Sequence, residues 1–206
     1  DCTMTDEFTI LCMGNSHTAG YPDYDPWMGG DPASSYQFWL DKGLAKEWTE
    51  TDFKLINEGV CGDTSRGITT RLFRALQTMT CNLVILAGGT NDLGMIREEA
   101  ISANLEKGYD VCREKNIKLI VTTVPPISLP GYDAPVTMLN HAIRAYADNH
   151  SDVFIADWYR ALQDDAGSLA KSYDAGDGVH LSRKGYERIG FLMVPIVGEV
   201  ISKAPL

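Results

Sequence analysis

Five short runs of apolar and β-branched residues recur along the chain, at residues 8–13, 53–57, 83–87, 117–124 and 153–156. Each reads as a buried strand. Between them lie longer stretches with helical spacing of apolar positions, over residues 35–48, 65–78, 98–115, 135–150 and 158–171, and a last helix is expected over 183–201. Alternation of this kind predicts an α/β fold in three layers, a five-stranded parallel sheet with helices on both faces. No repeat, low-complexity tract or linker breaks the pattern, and 206 residues suit one domain spanning the chain.

Open α/β sheets place ligands in the crevice outside the carboxyl ends of their strands, so the loops that follow the strands carry the functional information. Three of them contain glycine turns: Gly14-Asn15-Ser16, then Glu58 to Asp63 with Gly59 and Gly62, then Gly88-Gly89-Thr90-Asn91-Asp92. Two longer loops rich in proline and aromatic residues, 21–34 and 125–135, are placed to wall the same crevice.

Charge narrows the range of partners. The 28 acidic against 18 basic side chains give a net charge of −10, which repels a phosphate backbone or an anionic membrane surface, so nucleic acid is not expected. No window approaches the roughly 18 apolar residues of a membrane span, and the chain reads as soluble. It begins at Asp1 without an initiator Met or an apolar leader, which fits a trimmed secretory chain and a truncated one equally; compartment and oligomeric state stay open. Asn149-His150-Ser151 matches the glycosylation acceptor pattern, a motif short enough to arise by chance.

The five cysteines, Cys2, Cys12, Cys61, Cys81 and Cys112, are scattered without a C-x-x-C pair, and the odd number leaves at least one unpaired within the chain. Cys12 and Cys81 lie in apolar runs and are expected as small buried thiols. No metal cluster, P-loop or dinucleotide glycine pattern is present, so the expected chemistry needs neither metal nor cofactor.

Two local patterns can carry that chemistry. Ser16 stands at a strand-to-helix turn, where a hydroxyl is exposed and the residue's own amide can point at a substrate oxygen. A serine there can equally cap the next helix, and Thr18 departs from the G-x-S-x-G elbow. Asp177 and His180 lie three residues apart on a turn, a spacing that lets the carboxylate take the Nδ1 hydrogen and leave Nε2 free as a base. Ser182, just beyond, is a helix cap.

Taken in order, Gly14-Asn15-Ser16, Gly62, Gly89-Thr90-Asn91-Asp92 and Asp177-Gly178-Val179-His180-Leu181-Ser182 resemble the four blocks of the SGNH (GDSL-like) hydrolase superfamily over nearly the whole chain. The resemblance implies a flavodoxin-like fold and ester hydrolysis or acyl transfer. Carried over by position, it implies Ser16 as nucleophile, His180 as base and then acid, and Asp177 as the residue orienting the imidazole. The oxyanion donors it implies are the Ser16 amide, the Gly62 amide and the Asn91 side chain. Glycine at 62 suits close approach of the backbone to substrate, and an Asn side chain donates without charge. The family's Asp before the nucleophile is Asn15 here, which retains a side-chain acceptor for the turn. Asp63 and Asp92 are placed to brace the loops. His17 reads as a polar residue of the first helical turn, and His141 and His150 as residues of a surface helix.

Tyr21, Tyr24, Trp27 and Met28 are candidates for the substrate-binding wall, with core cover as the other reading; the same two readings hold for Leu129, Tyr132 and Met138. The spacing of Tyr36, Phe38 and Trp39 suits burial of a helix face. The function expected is hydrolysis of a small-molecule carboxylic ester through an acyl-enzyme. Short acyl or acetyl esters are favoured, because modest loops leave little material for an acyl tunnel or lid. The alternatives are acyl transfer or lysophospholipid hydrolysis on the same site, or an inactive carbohydrate- or lipid-binding module.

Overall fold

The computed structural model describes residues 6–203. Its elements run β1 (Asp6–Gly14), α1 (Ser16–Ala19), β2 (Tyr24–Asp25), β3 (Gly29–Gly30), α2 (Tyr36–Glu47), β4 (Thr51–Gly59), α3 (Ser65–Thr78), β5 (Leu83–Leu86), α4 (Glu98–Glu114), β6 (Lys118–Thr122), α5 (Asp133–Asn149), β7 (Val153–Ala156), α6 (Trp158–Leu162) and α7 (Arg183–Ser202). Five strands form one sheet in the order β4-β1-β5-β6-β7, every neighbouring pair parallel. Numbered along the chain, that order is 2-1-3-4-5, the flavodoxin-like arrangement, and the chain reverses its direction of winding between β1 and β5.

The continuous apolar runs reflect a sheet covered on both faces. Side chains alternate along a strand, so Ile10 and Cys12 of β1 face one layer while Leu11 and Met13 face the other. The first layer packs Leu83, Ile85, Ile120 and Phe154 against Tyr36 and Leu40 of α2, Trp158 of α6 and Ile189 and Met193 of α7. The second packs Val84, Leu86, Leu119 and Val121 against Leu72 of α3, Leu105 of α4 and Leu139 of α5. A fully buried Leu or Ile contributes about 1.5–3 kcal/mol, so these two layers fix the sheet on which the loops stand.

The elements differ from the sequence expectation where local hydrogen bonds intervene. The strand expected over 117–124 ends at Thr122, because the Val124 amide donates to Asn140 Oδ1 at 2.7 Å and the Val124 carbonyl accepts from Asn140 Nδ2 at 2.9 Å. The helix expected over 158–171 stops at Leu162. There Asp164 Oδ1 accepts from the amides of Ala166 and Ser168, Gly167 takes a positive φ of 81°, and Gln163 pairs with Leu169 in an isolated bridge. Cys12 and Cys112 are buried, Cys81 is half-buried rather than buried as expected, and Cys61 is exposed; all four are free thiols, while Cys2 lies outside the described residues. Among the described residues, no helix is long and apolar enough to cross a membrane.

Candidate active site

β1 delivers the chain to the carboxyl end of the sheet, where Asn15 caps the single turn of α1 by accepting from the His17 amide at 3.1 Å. The cap is therefore Asn15 rather than Ser16, and the turn hydrogen bond expected of Asn15 is made. Gly14 has no room for a side chain, since a Cβ would meet Thr18 Oγ1 at 2.0 Å. Ser16, 5% exposed, points its Oγ at His180 Nε2 across 3.0 Å.

His180 lies in the loop before α7, whose first turn is capped by Ser182 Oγ accepting from the Gly185 amide. Its Nδ1 is 2.6 Å from Asp177 Oδ2, while Asp177 Oδ1 accepts from the amides of His180 at 2.7 Å and Val179 at 2.9 Å. Partial burial works against the charged carboxylate, but hydrogen bonds from the His180 imidazole and from the two amides outweigh it and hold the Asp177 carboxyl down at about 2. An ionised Asp177 keeps hydrogen on Nδ1, so Nε2 meets Ser16 as an acceptor.

The other two loops are tied to this one. Asn91 sits in the short turn after β5, and its Nδ2 donates to the Asp63 carbonyl at 2.9 Å, leaving the second amide hydrogen uncommitted. Gly62 takes a φ of 81°, and a Cβ there would meet nothing within 4 Å. Glycine at 62 thus serves the left-handed turn and leaves its outer side open, rather than relieving a close approach within the protein. Arg71 of α3 donates Nε to Asp63 Oδ2 at 2.7 Å, Nη1 to the Glu58 carbonyl at 2.7 Å and Nη2 to the Gly14 carbonyl at 2.9 Å. One guanidinium therefore spans the ends of β1 and β4 and the turn bearing Gly62. Asp92 accepts from the Ser65 amide at 2.7 Å and the Ser65 hydroxyl at 3.0 Å, fixing the Asn91 turn to the start of α3.

A model of the GDSL-like lipase/acylhydrolase family matches residues 12–188, from β1 into α7. The chain belongs to this family. It is accordingly a member of the SGNH hydrolase superfamily.

Among its relatives, a multidomain esterase of Ruminococcus flavefaciens is 30% identical over 118 residues, a match that covers 53% of this chain and 14% of that protein. The chain thus spans only a small part of that relative's length. A carbohydrate acetylesterase from Sinorhizobium meliloti superposes with a TM-score of 0.73 at 20% identity, covering 94% of this chain and 99% of that one. An aryl esterase of M. smegmatis superposes with a TM-score of 0.74 at 20% identity, again over 94% and 99%.

In this GDSL-family chain the aromatic loop divides. The Tyr21 ring lies edge-on to His180, centroids 4.5 Å apart, and its carbonyl accepts from the Tyr186 hydroxyl at 2.5 Å. Tyr24 is half-buried in β2. Trp27 and Met28 are 77% and 91% exposed, which removes the core-cover reading for both. They form the turn of the β2–β3 ribbon, whose Asp25 Oδ1 accepts from both of their amides and whose Oδ2 lies 3.7 Å from Cys61 Sγ, beside Gly62. Leu129 and Met138 are exposed, whereas Tyr132 packs on the core. Tyr36 and Trp39 are buried as their spacing implies, but Phe38 is 38% exposed.

The structure adds most at His17, which lies in the first turn of α1. Expected as a polar residue of the first turn, it is 2% exposed, with Nε2 2.8 Å from the Val179 carbonyl. Burial pulls its pKa down to about 4, so the ring is neutral at pH 7, and because a carbonyl only accepts, Nε2 carries the hydrogen. Neither His17 nor Arg71 stands out in the sequence, since each owes its role to partners far along the chain. His141 is exposed on α5, and His150 follows it with Nδ1 2.7 Å from the Tyr146 carbonyl.

Proposed function

We propose that the chain is a serine esterase acting on short-chain acyl or acetyl esters, with Ser16, His180 and Asp177 as its catalytic set. The observation that carries this reading is the unbroken hydrogen-bond line from Ser16 Oγ through both His180 nitrogens to the Asp177 carboxylate, at 3.0 and 2.6 Å. His180 Nε2 takes the hydroxyl proton as Ser16 Oγ attacks the ester carbonyl. It then gives that proton to the departing alcohol, which leaves an acyl group on Ser16. Water activated by the same nitrogen attacks the acyl carbonyl, releases the acid and restores the serine. The amides of Ser16 and Gly62 and the free hydrogen of Asn91 Nδ2 stabilise the oxyanion of both tetrahedral states. Fixed donors of this kind act on the transition state more than on the ground state.

Tyr21, edge-on to the His180 ring, is the wall residue that the reading retains, and Tyr24, Trp27 and Met28 stand further out on the same ribbon as contacts for the alcohol portion. The exposure of Trp27 and Met28 gives the site no closed apolar tunnel on this side, which supports small acyl groups. The similarity to a carbohydrate acetylesterase points the same way. The test is kcat/KM for p-nitrophenyl acetate, butyrate and octanoate below micelle formation, together with acetylated sugars. Acetate should be the best of the three; a steady climb to octanoate would overturn the short-chain reading in favour of a lysophospholipase.

A further inference from the structure

We propose that His17 is a positioning residue for the catalytic pair, holding the His180 loop at its working distance from Ser16 through its bond to the Val179 carbonyl. The inference rests on Ser16 and His180 acting as proposed above.

The geometry is that of two parallel ties between the same pair of segments. Ser16 bonds His180 at 3.0 Å, and His17 bonds Val179 at 2.8 Å, each partner one residue along from the first bond. Val179 is held at both ends: its amide donates to Asp177 Oδ1, and its carbonyl accepts from His17. The same Asp177 carboxylate holds the His180 imidazole, so the peptide that His17 grips is continuous with the group that orients the base. The other bonds of this loop attach elsewhere. Asp174 Oδ1 accepts from the amides of Gly176 and Gly178, Gly178 O accepts from the Ser128 amide, and His180 O accepts from the Ala175 amide. Among the described residues, only the bond from His17 ties the loop directly to the turn bearing Ser16 while leaving the reacting atoms free.

The chemistry favours a neutral imidazole in this place. The His17 ring lies 5.5 Å from the His180 ring and tilted by 30° to it. His180 becomes cationic each time it takes the serine proton, and a charged neighbour at that separation would oppose the step. A lysine or arginine donor would carry that charge permanently. An apolar ring of the same size would fill the space but leave the Val179 carbonyl without its donor.

The experiment compares His17→Phe, which keeps the volume and loses the donor, with His17→Gln, whose amide nitrogen reaches about as far as Nε2. His17→Phe should lower kcat by about 10- to 100-fold, the scale for a small misplacement of reacting groups, with KM nearly unchanged, and His17→Gln should recover most of the loss. The low-field proton resonance of the His180 Nδ1–H should shift or broaden in the Phe variant and return in the Gln variant. A Phe variant with wild-type kcat, or a Gln variant as impaired as the Phe variant, overturns the proposal. Nitrogen NMR of the wild-type protein tests it without any variant, because a His17 ring found charged at pH 7 or carrying its hydrogen on Nδ1 contradicts it. If Ser16→Ala is itself fully active the catalytic reading fails, whereas an inactive Ser16→Ala beside a fully active His17→Phe defeats this inference alone.

Discussion

Asp177 grips His180 twice, with Oδ1 on the backbone amide at 2.7 Å and Oδ2 on Nδ1 at 2.6 Å. In Asp177→Asn a single oxygen is left for three donors, the amides of Val179 and His180 and the Nδ1 hydrogen. If it stays on the backbone, the new amide presents hydrogens to Nδ1 and forces the hydrogen onto Nε2, the wrong tautomer for a base. The expected outcome is an intact fold with kcat lower by about 1,000- to 10,000-fold, as in other serine-histidine-aspartate sites. A loss of less than tenfold in ester assays would show that another acceptor orients His180.

Ser16→Ala and His180→Ala should each lower kcat by about 10,000-fold or more while circular dichroism stays that of the wild type, because neither side chain belongs to the two packed layers. Near-wild-type turnover by Ser16→Ala would remove the nucleophile assignment.

Asn91→Ala should cost about 3 kcal/mol of transition-state stabilisation, roughly a 100-fold fall appearing in kcat rather than KM. A rise in KM alone would make Asn91 a substrate contact and leave the oxyanion hole to the two backbone amides.

Arg71→Met removes three hydrogen bonds at once and leaves the carbonyls of Gly14 and Glu58 and the Asp63 carboxylate short of a donor. A loss of about 2–4 kcal/mol in urea unfolding is expected, together with a fall in kcat/KM, since the loops of Ser16 and Gly62 lose their shared tie. Unchanged stability and activity would show that these loops are held by packing alone.

The buried His17 makes stability depend on pH in a definite direction. Its imidazole takes a proton at about 4 in the folded chain against 6.5 when unfolded, so between those values the unfolded state binds more protons and stability falls as pH falls. The loss amounts to about 3 kcal/mol between pH 7 and pH 4 and levels off below that. Asp177 acts in the same direction lower down, from 3.8 towards about 2, and its exposure to solvent keeps that share small. Between pH 7 and 4, urea unfolding should show wild type losing about 3 kcal/mol relative to His17→Gln, which has no group to protonate there; parallel curves would mean that burial does not lower the His17 pKa.

The amino-acid sequence by itself determined the parallel sheet and most of its helices, because each follows from local periodicity: buried strands as short apolar runs, helices as longer runs with 3.6-residue spacing. It likewise determined the turn chemistry. Asn15 beside Ser16, Asp177 three residues before His180 and Ser182 as a cap are hydrogen-bond patterns that close within a few residues, so composition and spacing reveal them. Helix 158–171 failed for the complementary reason, since the turn of Asp164 and Gly167 interrupted a pattern that looked continuous. Only the tertiary structure decided what depends on distant partners. His17 meets Val179 across 162 positions, and Arg71 meets Gly14 across 57. Trp27 and Met28 stand in solvent at the turn of a two-stranded ribbon that is separate from the main sheet. A side chain's burial and its distant partners are properties of how elements pack. No local pattern encodes them, and so the supports of the candidate site appeared only once the sheet was assembled.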